Sequence, residues 1–182
     1  IFLYAGDTWH TSGIVVTLLA FRRLREEVKN AMLVIAAEGA ARDAELMVAK
    51  MGLEGSVKVF ECVTEEELRL HYASCDVFVY AHPADMVGRR ILEAMSYGKP
   101  VIALAEGPGR EFVRHGKEGL LVKPYDVGEL YRAMRELALN ERFRREAGLE
   151  ARRRFKVTCP RSDQVVDELV KLYGQSLVES LE

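Results

Sequence analysis

CDVFVYAHPADMVGRRILEAMSYGKPVIAL, residues 75–104, holds two short apolar runs on either side of a helix-forming stretch, and its reading decides the fold. Cys75-Asp76-Val77-Phe78-Val79-Tyr80 is β-branched and aromatic without polar alternation, the mark of a strand buried on both faces. Pro100-Val101-Ile102-Ala103-Leu104 reads the same way. Between them Gly88 opens a helix with Ile91, Leu92, Ala94 and Met95 on its apolar face, and Gly98 is the stop. The stretch is therefore a βαβ unit. In a parallel sheet, the loop after a strand and the first turn of the next helix lie at the carboxyl edge, where ligands bind. Asp85 in that loop and Glu93 in that helix are placed to hold one ligand between them, and Gly88 is read as a point of close backbone approach at an anion-favouring helix N-terminus.

The same alternation extends outward. Strands are expected over 1–5, 32–37 and 57–63, with helices over 14–28 and 41–51, the latter stopped by Gly52. The core face of the first helix is read as Val15, Leu18, Leu19 and Leu24. Thr64-Glu65-Glu66-Glu67 is a capping box starting a helix that runs to about residue 73. After the βαβ unit come a turn at 106–109, a short helix over 110–115, a last strand ending at Val122, and helices over 127–139, 140–155 and 162–181. Tyr72, Tyr131, Phe143 and Tyr173 are read as packing residues. Strands and helices at these spacings make an α/β domain: one open, mainly parallel sheet with helices on both faces, occupying residues 1–182.

Composition narrows the function classes. With 182 residues, 49% of them apolar, the chain can bury a substantial core, and a net charge of −2 points away from nucleic acid. No apolar run is long enough to span a bilayer, and the strand-like start is broken by Gly6-Asp7 rather than extended into a leader. Cys62, Cys75 and Cys159 are widely spaced and odd in number, which argues for a reducing, cytoplasmic setting and against a disulfide framework or zinc site. The arginines at 142, 144, 145 and 152–154 are interleaved with glutamates and read as a solvated helix face; peripheral contact with the cytoplasmic membrane face is the minority reading. His10 and His82 are read as exposed loop histidines and Trp9 as an interface residue. A start inside a strand, without methionine, suggests a piece of a longer chain.

The run from Asp85 to Ala103 resembles the E-G-F-G-x-x-x-L-E-A-M-A-x-G-x-P-V-V-A signature of retaining GT-B glycosyltransferases of the family-4-like group, closely from Gly88 onward. In register with it are the loop after the first strand, Leu33-Val34-Ile35 with Glu38-Gly39, the Thr64 cap, the turn at 107–111 and Gly119-Leu120-Leu121-Val122. The resemblance implies the Rossmann-like C-terminal half of such an enzyme. Its donor would be a nucleoside diphosphate sugar, its acceptor a glycan or lipid-linked hydroxyl, and its partner an N-terminal domain not in this chain. It implies no cofactor and no metal, since the carboxylates lack a D-x-D pattern. Nor does it imply a base from this half, the departing phosphate being thought to take the acceptor's proton.

Carried over by position, the resemblance gives Glu93 the ribose hydroxyls, a charge-assisted pairing, and gives Asp85 the sugar and the catalytic role, where the family has Glu. Gly6, Ser12, Gly13 and the helix start at Gly88 and Arg89 would hold the diphosphate. Here the chain departs from the pattern: Asp7 stands for an arginine and Ser12 for a lysine. A carboxylate about 4 Å from a phosphate costs on the order of 4 kcal/mol at an effective dielectric near 20, where a cation would have gained as much. Met86, Val87 and Glu61 also stand where the family has smaller or aromatic residues. Arg89, Arg90 or Arg42 would be the replacement cations. The alternative is a transferase-like domain that has lost donor binding and serves as a structural or regulatory partner; an epimerase- or phosphorylase-like relative is a third reading.

Overall fold

The computed structural model describes residues 1–6, 13–37, 41–61, 63–82, 87–159 and 162–179. Six strands, β1 (Phe2–Gly6), β2 (Leu33–Ala37), β3 (Val57–Phe60), β4 (Val77–Tyr80), β5 (Val101–Leu104) and β6 (Gly119–Val122), form one sheet in the order β3-β2-β1-β4-β5-β6. Every pairing is parallel; β1 lies against β2 with Tyr4 opposite Ile35, and against β4 with Tyr4 opposite Val79. The winding reverses between β1 and β4. That gap is the topological switch point, where an open α/β sheet leaves a crevice beyond its strand ends.

Alternate strand residues feed two cores. Phe2, Tyr4, Leu33, Ile35, Val79 and Ile102 pack with Leu18, Phe21 and Leu24 of α1 (Gly13–Glu27), Val48 of α2 (Ala41–Lys50) and Met134 of α6 (Val127–Leu139). Leu3, Phe78, Tyr80, Val101 and Ala103 pack on the other face with Tyr72 of α3 (Glu65–Ser74), Ile91 and Met95 of α4 (Arg89–Ser96) and Ala151 of α7 (Glu141–Thr158). Both β4 and β5 are buried at every residue, so the unalternating apolar runs have their expected cause. The expected α/β sheet with helices on both faces is the fold observed.

Local signals account for most helix starts. The Thr64 hydroxyl accepts from the Glu67 N–H while the Glu67 carboxylate accepts from the Thr64 N–H at 2.8 Å, so the capping box is formed. Asp126 and Asn140 cap α6 and α7 through side-chain oxygens that accept from Glu129 and Phe143 N–H groups. Other expectations need correction. In α1 Phe21 is fully buried and Leu19 is 37% exposed, because the helix turns its 14-17-18-21-24 stripe to the sheet. α5 spans Gly107–Phe112 rather than 110–115, since Pro108 suits a first turn that lacks N–H partners. β3 ends at Phe60, three residues early, with Glu61 exposed beyond it. Tyr173, on α8 (Ser162–Glu179), is exposed rather than packed.

An ion pair between half-exposed Arg114 and buried Glu118 fixes the turn into β6. The Glu118 side chain is completely covered and accepts from the Arg114 backbone N–H at 2.8 Å and from the Arg114 guanidinium, Nε at 2.9 Å. Burial alone would raise the carboxyl's pKa, but the hydrogen bonds from Arg114 outweigh it and hold Glu118 below the ordinary carboxylate range. A carboxyl depressed in the folded state stabilises the fold above its unfolded value, about 4.3, and that contribution is lost as pH falls through the folded value. Glu118→Gln is expected to cost about 1–3 kcal/mol at pH 7. Its melting temperature should also fall less steeply than that of the parent chain between pH 5 and 3, read by thermal unfolding across that range.

Candidate functional site

The crevice at the switch point is built by three close approaches. β1 ends at Gly6 and β4 at Tyr80, after which the chain passes through Ala81 and His82, with α1 starting at Gly13 against the Ala81 backbone. A Cβ on Gly13 would stand 2.1 Å from the Ala81 carbonyl oxygen and 2.9 Å from the Tyr4 hydroxyl, so only glycine lets the helix start sit on the strand end. A Cβ on Gly6 would meet the His82 ring at 2.9 Å. Gly88 caps α4 in the left-handed region at φ 67°, and its missing side-chain position lies 2.4 Å from Pro108 Cβ. The three glycines expected to admit a ligand thus also seat the walls of the crevice.

Glu93, one turn into α4, accepts three hydrogen bonds from described side chains. Its Oε1 accepts from Arg89 Nε at 2.6 Å, and its Oε2 accepts from Arg90 Nη1 at 3.0 Å and from the Tyr72 hydroxyl at 3.1 Å. Arg89 Nη2 reaches on to Glu65 in the first turn of α3 at 3.1 Å, tying the two helix starts together. The Tyr72 ring is buried and stacks on Tyr97 at 5.7 Å between centroids. Burial, then the charge of Glu93, pushes the Tyr72 phenol well above its ordinary range, so it stays a donor at every working pH. A carboxylate offers about four acceptor positions. Described residues fill three on Glu93: one on Oε1 and two on Oε2.

Two of the three arginines expected to stand in for the phosphate-binding cations, Arg89 and Arg90, are therefore committed elsewhere, while Arg42 is exposed on α2. Arg89 and Arg90 both pair with Glu93 and Glu65, with Arg90 only 21% exposed. The geometry brings Gly6, Gly13, Gly88, Arg89 and Glu93 to one sheet edge. Ser12 and Asp85, like Asp7, Trp9, His10 and Met86, lie outside the described residues. Sequence reasoning did not find Tyr72 as the partner of Glu93, 21 positions away, nor the burial of His82, which is 9% exposed rather than on the surface. The second had a signal: Ala81-His82 continues the apolar run of β4 without a turn residue.

Other concavities lie among the described residues. A shallow apolar seam at the same edge is lined by Gly13, Val16, Ala81, Leu104, Val122 and Leu130, with Tyr125 at its rim in a left-handed conformation, φ 60°. An open groove lies at the amino ends of β4 and β5, between Tyr97–Pro100 and the Arg144, Arg145 and Arg152 side of α7. In its wall Lys99 Nζ donates to the carbonyls of Ala73 and Cys75, at 2.9 and 2.8 Å, satisfying the C-terminus of α3. The Cys75 thiol there is pushed up to about 11 by burial. Among the described residues no helix is long and apolar enough to cross a membrane.

A family model described as Glycosyl transferases group 1 matches residues 1–154. A D-inositol 3-phosphate glycosyltransferase of Geodermatophilus obscurus is 33% identical over 140 residues, covering 77% of this chain and 30% of that protein. Among solved structures, sucrose-phosphate synthase of Thermosynechococcus elongatus superposes with a TM-score of 0.83 at 26% identity, covering 98% of this chain and 45% of the other. Anabaena HepE, solved with UDP and glucose, superposes with a TM-score of 0.77 at 22% identity, covering 93% and 48%. The chain spans less than half the length of each.

Proposed function

We propose, from the premise that this chain belongs to the group 1 glycosyl transferases, that it is the donor-binding half of a GT-B enzyme. It binds a nucleoside diphosphate sugar at the carboxyl edge of the sheet for transfer, with retention, to a hydroxyl acceptor held by an N-terminal domain. The observation that carries the reading is Glu93. Two arginines and a buried tyrosine hold this carboxylate in the first half of α4, the helix that follows β4 at the carboxyl edge of the sheet. A carboxylate so oriented pairs with a ribose hydroxyl at little entropic cost, since its rotamer is already set. Gly6, Gly13 and the start of α4 at Gly88 and Arg89 border the space for the diphosphate, with Ser12 beside them in sequence and Asp85 proposed for the sugar. That HepE, which shares this fold, was solved with UDP and glucose supports a nucleotide sugar as the ligand class.

A second reading has its own observation. The internal pairing of Glu93 satisfies three of its four acceptor positions without any ligand, and Asp7 and Ser12 replace phosphate-binding cations, as expected of a domain kept for its fold. Calorimetric titration of the chain with UDP, GDP and ADP separates the two. Saturable binding of at least one is expected for the donor domain, and a folded chain that binds none supports the structural partner.

A further inference from the structure

We infer that His82 contacts the diphosphate, its imidazole donating to a phosphate oxygen, in a chain whose sequence carries Asp7 and Ser12 where the resemblance implies cations. The inference rests on the reading above that a nucleoside diphosphate binds in the crevice. His82 directly extends β4 into the switch point, the part of the fold where a dinucleotide's pyrophosphate is held in open α/β sheets. It is nine-tenths buried there, although the sequence gives a histidine two residues past a strand every opportunity to turn outward.

What holds it in is Gly6. The ring lies across the end of β1, with Cδ2 2.9 Å and Nε2 3.4 Å from the position where a Gly6 Cβ would stand. The Tyr80 ring lies 6.4 Å from it between centroids, and the Tyr4 hydroxyl lies 3.5 Å from the same missing Cβ. The ring therefore bridges the β1 and β4 ends beside the first turn of α1, which packs on Ala81. Imidazole has a donor nitrogen in the neutral form and two in the charged form, so it serves a phosphate in either. Arg89 and Arg90, two of the other candidates, are engaged by carboxylates, and Arg42 lies on the exposed side of α2.

A ring kept only to fill space would be replaced by any ring; a ring kept for its donors would not. The test uses His82→Phe, which keeps the ring, and His82→Gln, which keeps a donor but is smaller and neutral. Both variants and the parent chain are titrated, by NMR, with UDP, GDP and ADP and with the matching nucleosides. The expected result is a loss of about tenfold or more in affinity for the diphosphate in His82→Phe, a smaller loss in His82→Gln, and nucleoside affinity within about twofold in both. Should His82→Phe fail to fold, the diphosphate-to-nucleoside ratio in His82→Gln carries the test, and a ratio unchanged from the parent overturns the inference. A folded His82→Phe with unchanged diphosphate affinity, or with equal losses for nucleoside and diphosphate, also overturns it. A parent chain that binds none of the diphosphates overturns the underlying reading and this inference with it.

Discussion

Glu93→Gln is expected to weaken nucleoside diphosphate binding by roughly 10- to 150-fold, the loss that follows from about 1.5–3 kcal/mol for a hydrogen bond to a charged acceptor. The amide keeps an oxygen for the Tyr72 hydroxyl, so the buried phenol is not stranded and the fold should survive. What it gives up is the charge. Arg89 and Arg90 lose their common partner, and a ribose hydroxyl meets a neutral acceptor in place of an ionised one. Two opposed effects are set against each other here. The arginines, still paired with Glu65, would draw a diphosphate more strongly, but a solvent-screened cation such as Arg89 adds little, typically under about 1 kcal/mol per pair. The lost charge-assisted bond should therefore win, and calorimetric affinities for the parent and Glu93→Gln, with melting temperatures as the folding control, measure the balance. An affinity raised by the substitution would mean that the arginines, not the carboxylate, are the ligand-binding groups.

Gly13→Ala is expected to have the largest effect on stability. A methyl group there would stand 2.1 Å from the carbonyl oxygen of Ala81 and 3.1 Å from its carbon, and both are main chain in a buried strand end. Neither can step aside as a flexible side chain would, so α1 must lift off β4. Overpacking of this kind costs about 3 kcal/mol. That is a large part of the 5–15 kcal/mol typical of a domain, and for a chain of this size it lowers the melting temperature by roughly 6–12 °C. Gly55→Ala is the matched control, with nothing within 4 Å of the added methyl, and should change stability by less than about 1 kcal/mol. The same displacement opens the crevice between Gly6 and Ala81, so Gly13→Ala should also lose nucleotide affinity. A Gly13→Ala chain as stable as the Gly55→Ala control would show that the helix start does not rest on the strand end.

The architecture was legible because its signals are local. Unalternating runs such as Val77-Phe78-Val79-Tyr80 state burial on both faces, the Thr64–Glu67 box states a helix start, and strands alternating with helices leave a parallel sheet as the economical arrangement. The site was legible only where a residue's role follows from its position in such an element, as for Glu93 in the first half of α4. What depended on the crossing of two elements was not. Glu93 meets Tyr72 because α3 and α4 pack side by side, and Arg90 turns to Glu93 rather than to the crevice for the same reason. Gly6, Gly13 and Gly88 carry no sign in sequence that His82, Ala81 and Pro108 would occupy the space beside them. Ser12 and Asp85 sit in segments outside the described residues, and their roles stand as proposals.

The central claim is that a nucleoside diphosphate binds at the carboxyl end of the β1–β4 gap. Amide NMR of the chain during titration with UDP, GDP and ADP tests it most directly. The account predicts saturable shifts concentrated at Gly6, Gly13, Ala81, His82 and the first turns of α4 from Arg89 to Glu93. Shifts confined to Tyr97–Pro100 and the Arg144–Arg152 face of α7, at the opposite edge of the sheet, or no shifts with any of the three, would contradict it.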